Sequence, residues 1–411
     1  MKCRHCKSEL RTKFIDLGFT PPSNAYLKKN ELKSSEKYYP LLVNVCHKCW
    51  LVQTEDYADK AELFDDEYSY FSSTSKSWLK HARAYSKKII ASLSLNKESF
   101  VVEVASNDGY LLKNFVKAKI PCIGVEPTKS TAQASLGIGV PVIQEFFGEK
   151  LAKQISIKYK KADLIIGNNV LAHVPDINDF AKGLKILLKK NGVITLEFPH
   201  LLNLIKFKQF DTIYHEHFSY LSLSTVNSIF AKIGLKIFNV EEIQTHGGSL
   251  RIYVSHENST FIEKTFVKAL LTKEIRFGLQ NIKTYKNFQS SIYTIKNELI
   301  SFLLYCKKTN KKVCAYGAAA KGNTLLNFSG IKSDLISCVY DKAKSKQGKF
   351  LPGSHLPILP WNQSYLNKYD FILILPWNLS EEIICDIARH KKIKPIFFIC
   401  IPEIKFFKTK D

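Results

Sequence analysis

The chain has 411 residues, 45% of them hydrophobic and 24% charged, which is globular composition with room for two or three domains. Its net charge of +23 is carried almost wholly by lysines scattered along the chain, with only six arginines. This argues against a sequence-reading nucleic-acid binder and leaves solvated faces or an anionic substrate as its meaning. The longest apolar runs, Phe371–Leu375 and Ile396–Cys400, are of strand length, so no membrane span is expected. Residues Met1–Cys6 lack the apolar core of a signal peptide, and a cytoplasmic location is expected.

In chain order, the first feature is two Cys-x-x-Cys pairs, Cys3/Cys6 and Cys46/Cys49. Four thiolates in two such knuckles close a tetrahedral zinc site. His5 and His47 lie between the cysteines as possible substitutes, but cysteine ligation is the expectation, with a closed and therefore structural site. The other six cysteines sit in apolar runs and read as small buried hydrophobes. Residues 1–67 otherwise show little periodic structure.

Strand-like and helical runs then alternate. An amphipathic helix is expected over Leu79–Leu93. Strands are expected at Phe100–Val104, Cys122–Val125, Asp163–Gly167 and Gly192–Phe198, with Ser224 capping a helix over Val226–Ile233 and a late strand pair at Lys236–Val240 and Ser249–Val254. A polar helical stretch, Phe261–Tyr305, precedes a second alternating unit with strands at Lys312–Tyr316, Leu335–Tyr340, Asp370–Leu375 and Lys394–Cys400. The fold class is α/β: a small N-terminal zinc module (1–67) and two Rossmann-like doubly wound domains (68–255 and 256–411).

The first strand ends in Glu103 and runs into the polar turn Ser106-Asn107-Asp108-Gly109; Glu126 ends the next strand. Such a turn approaches a nucleotide-type ligand with its backbone, and an acidic side chain ending the second strand accepts ribose hydroxyls. NAD and S-adenosylmethionine (SAM) share this layout, although the turn has one glycine where dinucleotide binders have three. Asn168 and Asn169 end a further strand, where polar side chains meet a ligand's amino-acid end or reacting centre. In isolation Asn107-Asp108-Gly109 is an ordinary turn; acidic and amide groups at three strand ends make it a ligand site.

Tyr214-His-Glu-His-Phe-Ser-Tyr220 packs two imidazoles, a carboxylate and two phenols into seven residues, and His173 follows Asn168-Asn169 closely. Histidine suits proton abstraction near neutral pH, and an adjacent carboxylate can orient it. Were the segment extended, Tyr214, Glu216 and Phe218 would share one side and His215 and His217 the other. Metal binding by this cluster is a second reading. Farther on, Tyr316-Gly317-Ala-Ala-Ala-Lys321-Gly-Asn323 takes a strand through a small-residue turn into a helix. That arrangement suits an anion, with Lys321 as a point charge, and lacks the Walker order.

Taken in order, these motifs, with Tyr68-Ser-Tyr70-Phe-Ser72-Ser73 and His246-Gly-Gly-Ser-Leu-Arg251, resemble the SAM-dependent sugar C-methyltransferases that act on nucleotide-linked 4-keto-hexoses, and the resemblance runs end to end. It implies a zinc module, a SAM-binding domain and a C-terminal domain that helps hold the sugar nucleotide. It implies an active-site set of Tyr68, His173, Tyr214, Glu216 and His217, with His217 as the base that removes the proton at C3. It places the sugar nucleotide against Tyr70, Ser72, Ser73, Gly248, Ser249, Arg251, Tyr316, Gly317, Lys321 and Asn323. Family members often carry Gly where this chain has Ala105. SAM is the implied cofactor, a nucleotide-linked keto-sugar the partner, and the enzyme a monomer or weak homo-oligomer with no nucleic acid or membrane. Methylation at oxygen or nitrogen of a sugar nucleotide is the alternative.

Overall fold

The structure, a computed structural model, describes residues 1–57, 71–362, 367–388 and 394–407. Tyr68, Tyr70 and the expected boundary at residue 67 lie outside the described residues. The first module holds strands β1 (Thr12–Thr20), β2 (Tyr39–Val45) and β3 (Val52–Thr54). Its strands escaped the sequence reading for a physical reason. The β1–β2 register shifts between Lys13 and Ile15 and again between Asp16 and Phe19, so the two-residue alternation that marks a half-buried strand is broken twice.

The central domain follows with α1 (Lys76–Ser92), β4 (Val101–Val104), α2 (Lys113–Lys117), β5 (Cys122–Val125), α3 (Lys129–Gly137), β6 (Val142–Ile143), α4 (Glu149–Lys158), β7 (Ala162–Asn168), α5 (Ile177–Leu187), β8 (Leu188–Pro199), α6 (Leu201–Lys206), β9 (Ser219–Tyr220), α7 (Leu223–Ala231), β10 (Leu235–Ile243) and β11 (Ser249–His256). The polar stretch after it is three helices, α8 (Thr265–Phe277), α9 (Ile282–Lys286) and α10 (Phe288–Lys308), because Gly278 in the left-handed region ends α8 and the Asn281 side chain caps α9. The last unit comprises β12 (Val313–Tyr316), α11 (Ala320–Ser329), β13 (Val339–Asp341), β14 (Ile358–Pro360), β15 (Phe371–Ile374), α12 (Ser380–Ala388), β16 (Ile396–Ile399) and β17 (Lys405–Phe407).

The described residues form three sheets. The central one runs β10-β11-β8-β7-β4-β5-β6, parallel except that β11 lies antiparallel between β8 and β10. The last runs β14-β13-β12-β15-β16-β17, parallel but for β17. Both reverse strand order once, beside β4 in one and β12 in the other, and ligands settle at such switch points outside the carboxyl ends of the strands. All four residues of β4 are buried, as a strand covered by helices on both faces requires.

The first module's sheet runs β1-β2-β3-β9, and its fourth strand comes from the central domain. Val52 pairs with Tyr220 and Gln53 with Ser219, antiparallel. Cys3, Cys46 and Leu51 join the buried cluster of the central sheet, while Phe14, Ile15 and Val43 join the cluster beneath α10 and the last sheet. Phe14 stacks on Phe288 with centroids 4.7 Å apart. The module is thus a wedge in the core of the molecule.

One helix cap departs from expectation. Ser222, not Ser224, caps α7, its hydroxyl accepting from the Thr225 amide at 3.2 Å. The helix starts earlier because Glu274 of α8 accepts from the Leu223 and Ser224 amides at 2.6 and 2.8 Å, a tertiary contact invisible to local propensity.

Candidate active site

The carboxyl edges of the central and last sheets face one cavity of about 700 Å³. The central sheet contributes Ala105, Asn107, Glu126, Asn168 and Asn169; the loops beyond it contribute His173, Tyr214, Glu216 and His217; the last domain contributes Ala319, Lys321 and Asn378. Ser72 and Asn24 also reach it.

Glu126 ends β5 with both carboxylate oxygens occupied, accepting from the Asn107 amide at 2.9 Å and the Thr128 amide at 3.0 Å. It therefore shapes the turn after β4 as well as lining the cavity. Ala105 and Asn107 of that turn have φ +57° and +51°, and Asn169 has φ +55°. Non-glycine residues held there mark a backbone constrained by its surroundings. The turn in turn holds the 71–75 segment: Ser72 and Ser73 amides donate to Asn107 Oδ1 at 2.9 Å and Asp108 Oδ2 at 3.0 Å. Glu103, Ser106, Asp108 and Gly109 lie beneath the cavity and do not line it. Burial, reinforced by Asp108 and Glu126, pushes the Glu103 carboxyl well up.

Tyr214–His217 forms a turn and only Ser219–Tyr220 is extended, so the two-residue alternation considered above does not apply to the histidines. The His217 amide donates to the Tyr214 carbonyl at 2.9 Å. Tyr214, Glu216 and His217 consequently share the cavity side, while His215 turns away to the Pro40 carbonyl (3.2 Å) and the Tyr39 ring. His217 Nδ1 lies 2.8 Å from the Thr212 carbonyl, which can only accept, so Nδ1 carries the proton and Nε2 presents its lone pair. The His217 ring lies 4.6 Å from that of His173 and 4.0 Å from that of Tyr214, centroid to centroid. Burial and the neighbouring His173 hold His217 well below the usual histidine range; burial takes His173 down to about 4. Both imidazoles are neutral at physiological pH.

Glu216 does not orient His217. Its Oε1 accepts from Asn24 Nδ2 at 2.7 Å, and burial pushes it up to about 7 against the pull of Asn24 and Lys346. Because the folded value exceeds the ordinary 4.5, folding favours the protonated carboxyl, and stability is lost as pH rises from about 4.5 to 7. At about 1.4 kcal/mol per pH unit the loss is about 3 kcal/mol at neutral pH. Glu216→Gln is expected to flatten that slope, checked by urea unfolding of both proteins between pH 5 and 8.

The remaining expected residues separate into two groups. Lys321 reaches the cavity, donating to Asn378 Oδ1 at 2.7 Å and lying over the Trp377 ring. The Trp377 indole N–H donates to Asp211, a carboxyl raised to about 6 by burial against the pull of Lys321. Tyr316, Gly317, Asn323, Gly248, Ser249 and Arg251 do not line the cavity. Asn323 donates to the Ser23 carbonyl at 2.5 Å, and Tyr316 packs edge-on to Trp361. Arg251 sits opposite Glu197 across β11 and β8 and donates Nε to it at 2.7 Å. Glu197 also takes His81 Nε2 at 3.0 Å, and despite burial these two partners hold it below the usual carboxylate range.

His81, Trp78 and His246 line the cavity without having been foreseen. For the first two a signal existed: an indole and an imidazole three residues apart share a helix face, and their rings stack at 5.0 Å.

In the first module the four Sγ atoms of Cys3, Cys6, Cys46 and Cys49 all lie within 4.8 Å of one another. Lys7 and Trp50 amides return to the Cys3 and Cys46 carbonyls at 3.0 Å, and both residues have positive φ, which closes each knuckle tightly. His5 is not part of the cluster; its Nδ1 bonds Asn178 Oδ1 at 2.8 Å. Four convergent thiols fit a tetrahedral zinc ion.

Family models match a putative zinc binding domain over residues 3–64, a methyltransferase domain over 78–240 and a C-methyltransferase C-terminal domain over 244–402. The chain is 31% identical over 410 residues to the C-methyltransferase NovU of Streptomyces niveus, covering 100% of this chain and 97% of that protein. The chain belongs to the C-methyltransferase family.

Two solved structures similar to this C-methyltransferase are a possible histamine N-methyltransferase from Thermotoga maritima (19% identity, TM-score 0.36, 47% of this chain and 98% of that one) and magnesium protoporphyrin IX methyltransferase from Synechocystis with bound SAH (14%, 0.35, 43% and 83%). The C-methyltransferase uses SAM and carries a structural zinc site. Its cavity fits the cofactor: Glu126 ends β5 within it, and Asn168 Oδ1 and Asn169 Oδ1 are buried without a protein partner, as acceptors for an amino-acid end would be. No helix among the described residues is long and apolar enough to cross a membrane.

Proposed function

We propose that the enzyme methylates C3 of a nucleoside-diphosphate-linked 4-keto-deoxysugar. In this reading residues 1–67 are the zinc module, 68–255 hold SAM, and 256–411 hold the sugar nucleotide, with Lys321 facing its phosphates. A hydrogen beside a ketone is acidic enough to be removed when the enolate is stabilised. His217 takes that proton at Nε2. The C–H electron pair moves toward the carbonyl oxygen, where Tyr214, His173 and Tyr68 supply hydrogen bonds. SAM supplies an electrophilic methyl group when bound, and the nucleophilic carbon takes it in a step that depends chiefly on positioning. The observation that carries the reading is the His217 tautomer: the Thr212 carbonyl fixes the proton on Nδ1 and leaves an unprotonated Nε2 in a cavity shared by both sheets.

The test is incubation with SAM and a panel of nucleotide-linked 4-keto-deoxysugars. The expected products are S-adenosylhomocysteine and a sugar carrying a new methyl on carbon. An enzyme that binds SAM yet turns over none of them would sink the reading, and methyl on oxygen or nitrogen would replace it.

A further inference from the structure

We propose that His246 is a catalytic residue that touches the substrate, one ring N–H hydrogen-bonding the ketone oxygen as negative charge gathers on it. The inference rests on the ketone reading above. Three observations carry it. First, the backbone is held in an unfavoured state: His246 has φ +54° and ψ +26°, and Gly247 and Gly248 follow with φ +85° and +108°. Three successive residues of positive φ are costly in a non-glycine setting and persist where the surroundings impose them.

Second, the surroundings do impose them. A Cβ on Gly247 would lie 2.5 Å from the Trp377 ring, and one on Gly248 would lie 2.3 Å from the Asn203 side chain. Gln209 Nε2 donates to the Gly247 carbonyl at 2.8 Å. The turn is therefore threaded between the central and last domains, with no space for side chains at the two glycines, and the imidazole before them projects into the cavity.

Third, the ring is placed and unspent. It stands edge-on to Trp78 at 5.2 Å. Its Nδ1 is enclosed without a partner, and among the described residues neither ring nitrogen makes a hydrogen bond. Burial and the nearby Lys321 take it down to about 4, so it is neutral and keeps one N–H to donate. A half-buried imidazole that makes no hydrogen bond to the described residues is left to bond what enters the cavity.

The proton balance is simple. The C3 proton goes to His217 Nε2, the freed pair enters the new carbon–carbon double bond, and the carbonyl π pair moves to oxygen. His246 keeps its proton throughout and only donates a hydrogen bond, which weakens once the carbon has taken its methyl.

His246→Asn tests the assignment without disturbing the fold, since asparagine tolerates left-handed φ but is too short to reach. On a nucleotide-linked 4-keto-deoxysugar, this variant is expected to lose about 100-fold in kcat and in solvent-deuterium exchange at C3. SAM affinity, KM and the thermal midpoint are expected to stay within about twofold or a few degrees. His246→Gln, whose amide reaches farther and donates, is expected to recover part of the loss. Exchange at the wild-type rate in His246→Asn overturns the inference, as does a raised KM with kcat unchanged. If wild-type enzyme turns over no such sugar, the ketone reading falls and takes the inference with it; if wild type turns it over and His246→Asn does so at the same rate, the inference falls alone.

Discussion

Replacing His217 with asparagine is expected to lower turnover by about 10²- to 10⁴-fold, the range a positioned general base contributes. Deuterium exchange at C3 is expected to stop with it, because the same nitrogen takes the proton in both processes. SAM affinity is expected to hold, since Glu126, Asn168 and Asn169 occupy other strand ends. The pH profile gives an independent check. A base works when unprotonated, so its activity is lost as pH falls through its pKa. Burial and His173 hold His217 well below 6.5, and the acid limb of kcat should lie correspondingly lower. Exchange that survives in the variant would remove this residue as the base.

The second large effect concerns the metal. Cys46→Ser, or removal of zinc by a chelator, is expected to abolish methyl transfer as well as lower the thermal midpoint. Structural zinc in small modules contributes roughly 10 kcal/mol or more to folding. Here that energy is coupled to the reacting loops. The Thr54 hydroxyl donates to the His217 carbonyl at 3.1 Å, and the Thr54 amide donates to Phe218. Arg4, inside the first knuckle, donates to the Pro175 carbonyl at 3.1 Å, two residues beyond His173. The Gln53 side chain donates to Cys3 Sγ at 3.3 Å and accepts from the Arg4 amide at 2.8 Å, tying the ligands to β3. Elemental analysis, melting curves and C3 exchange on the same sample decide it. A metal-free protein that keeps its midpoint and its exchange rate would show the module to be an ornament.

Much of this was legible in the sequence, where local pattern and function coincide. The cysteine spacing marked the knuckles, the apolar runs marked β4, β5, β7 and β8, and Glu126, Asn168 and Asn169 at the ends of β5 and β7 marked the cavity rim. The rest depends on neighbours that no local pattern names. The resemblance sets Arg251 against the sugar nucleotide, but Glu197 lies opposite it on the neighbouring strand and takes its guanidinium. Whether Tyr214–His217 is extended or turned, and so which side chains share a side, is decided by the Tyr214 carbonyl accepting from the His217 amide. His246 carries no periodic signal of its own, because it is the left-handed backbone of its turn that delivers the side chain to the cavity.

The strand that Ser219 and Tyr220 lend to the first sheet also sets an order of events during synthesis. Gln53 waits for Ser219 while more than 160 intervening residues are made. The metal-binding segment leaves the ribosome first, yet its sheet is completed only after the sequence through β8 has emerged. Until then its open edge is exposed, so a nascent chain that stalls before Ser219 and Tyr220 have left the ribosome is expected to be more prone to capture by chaperones than one that stalls after they have emerged.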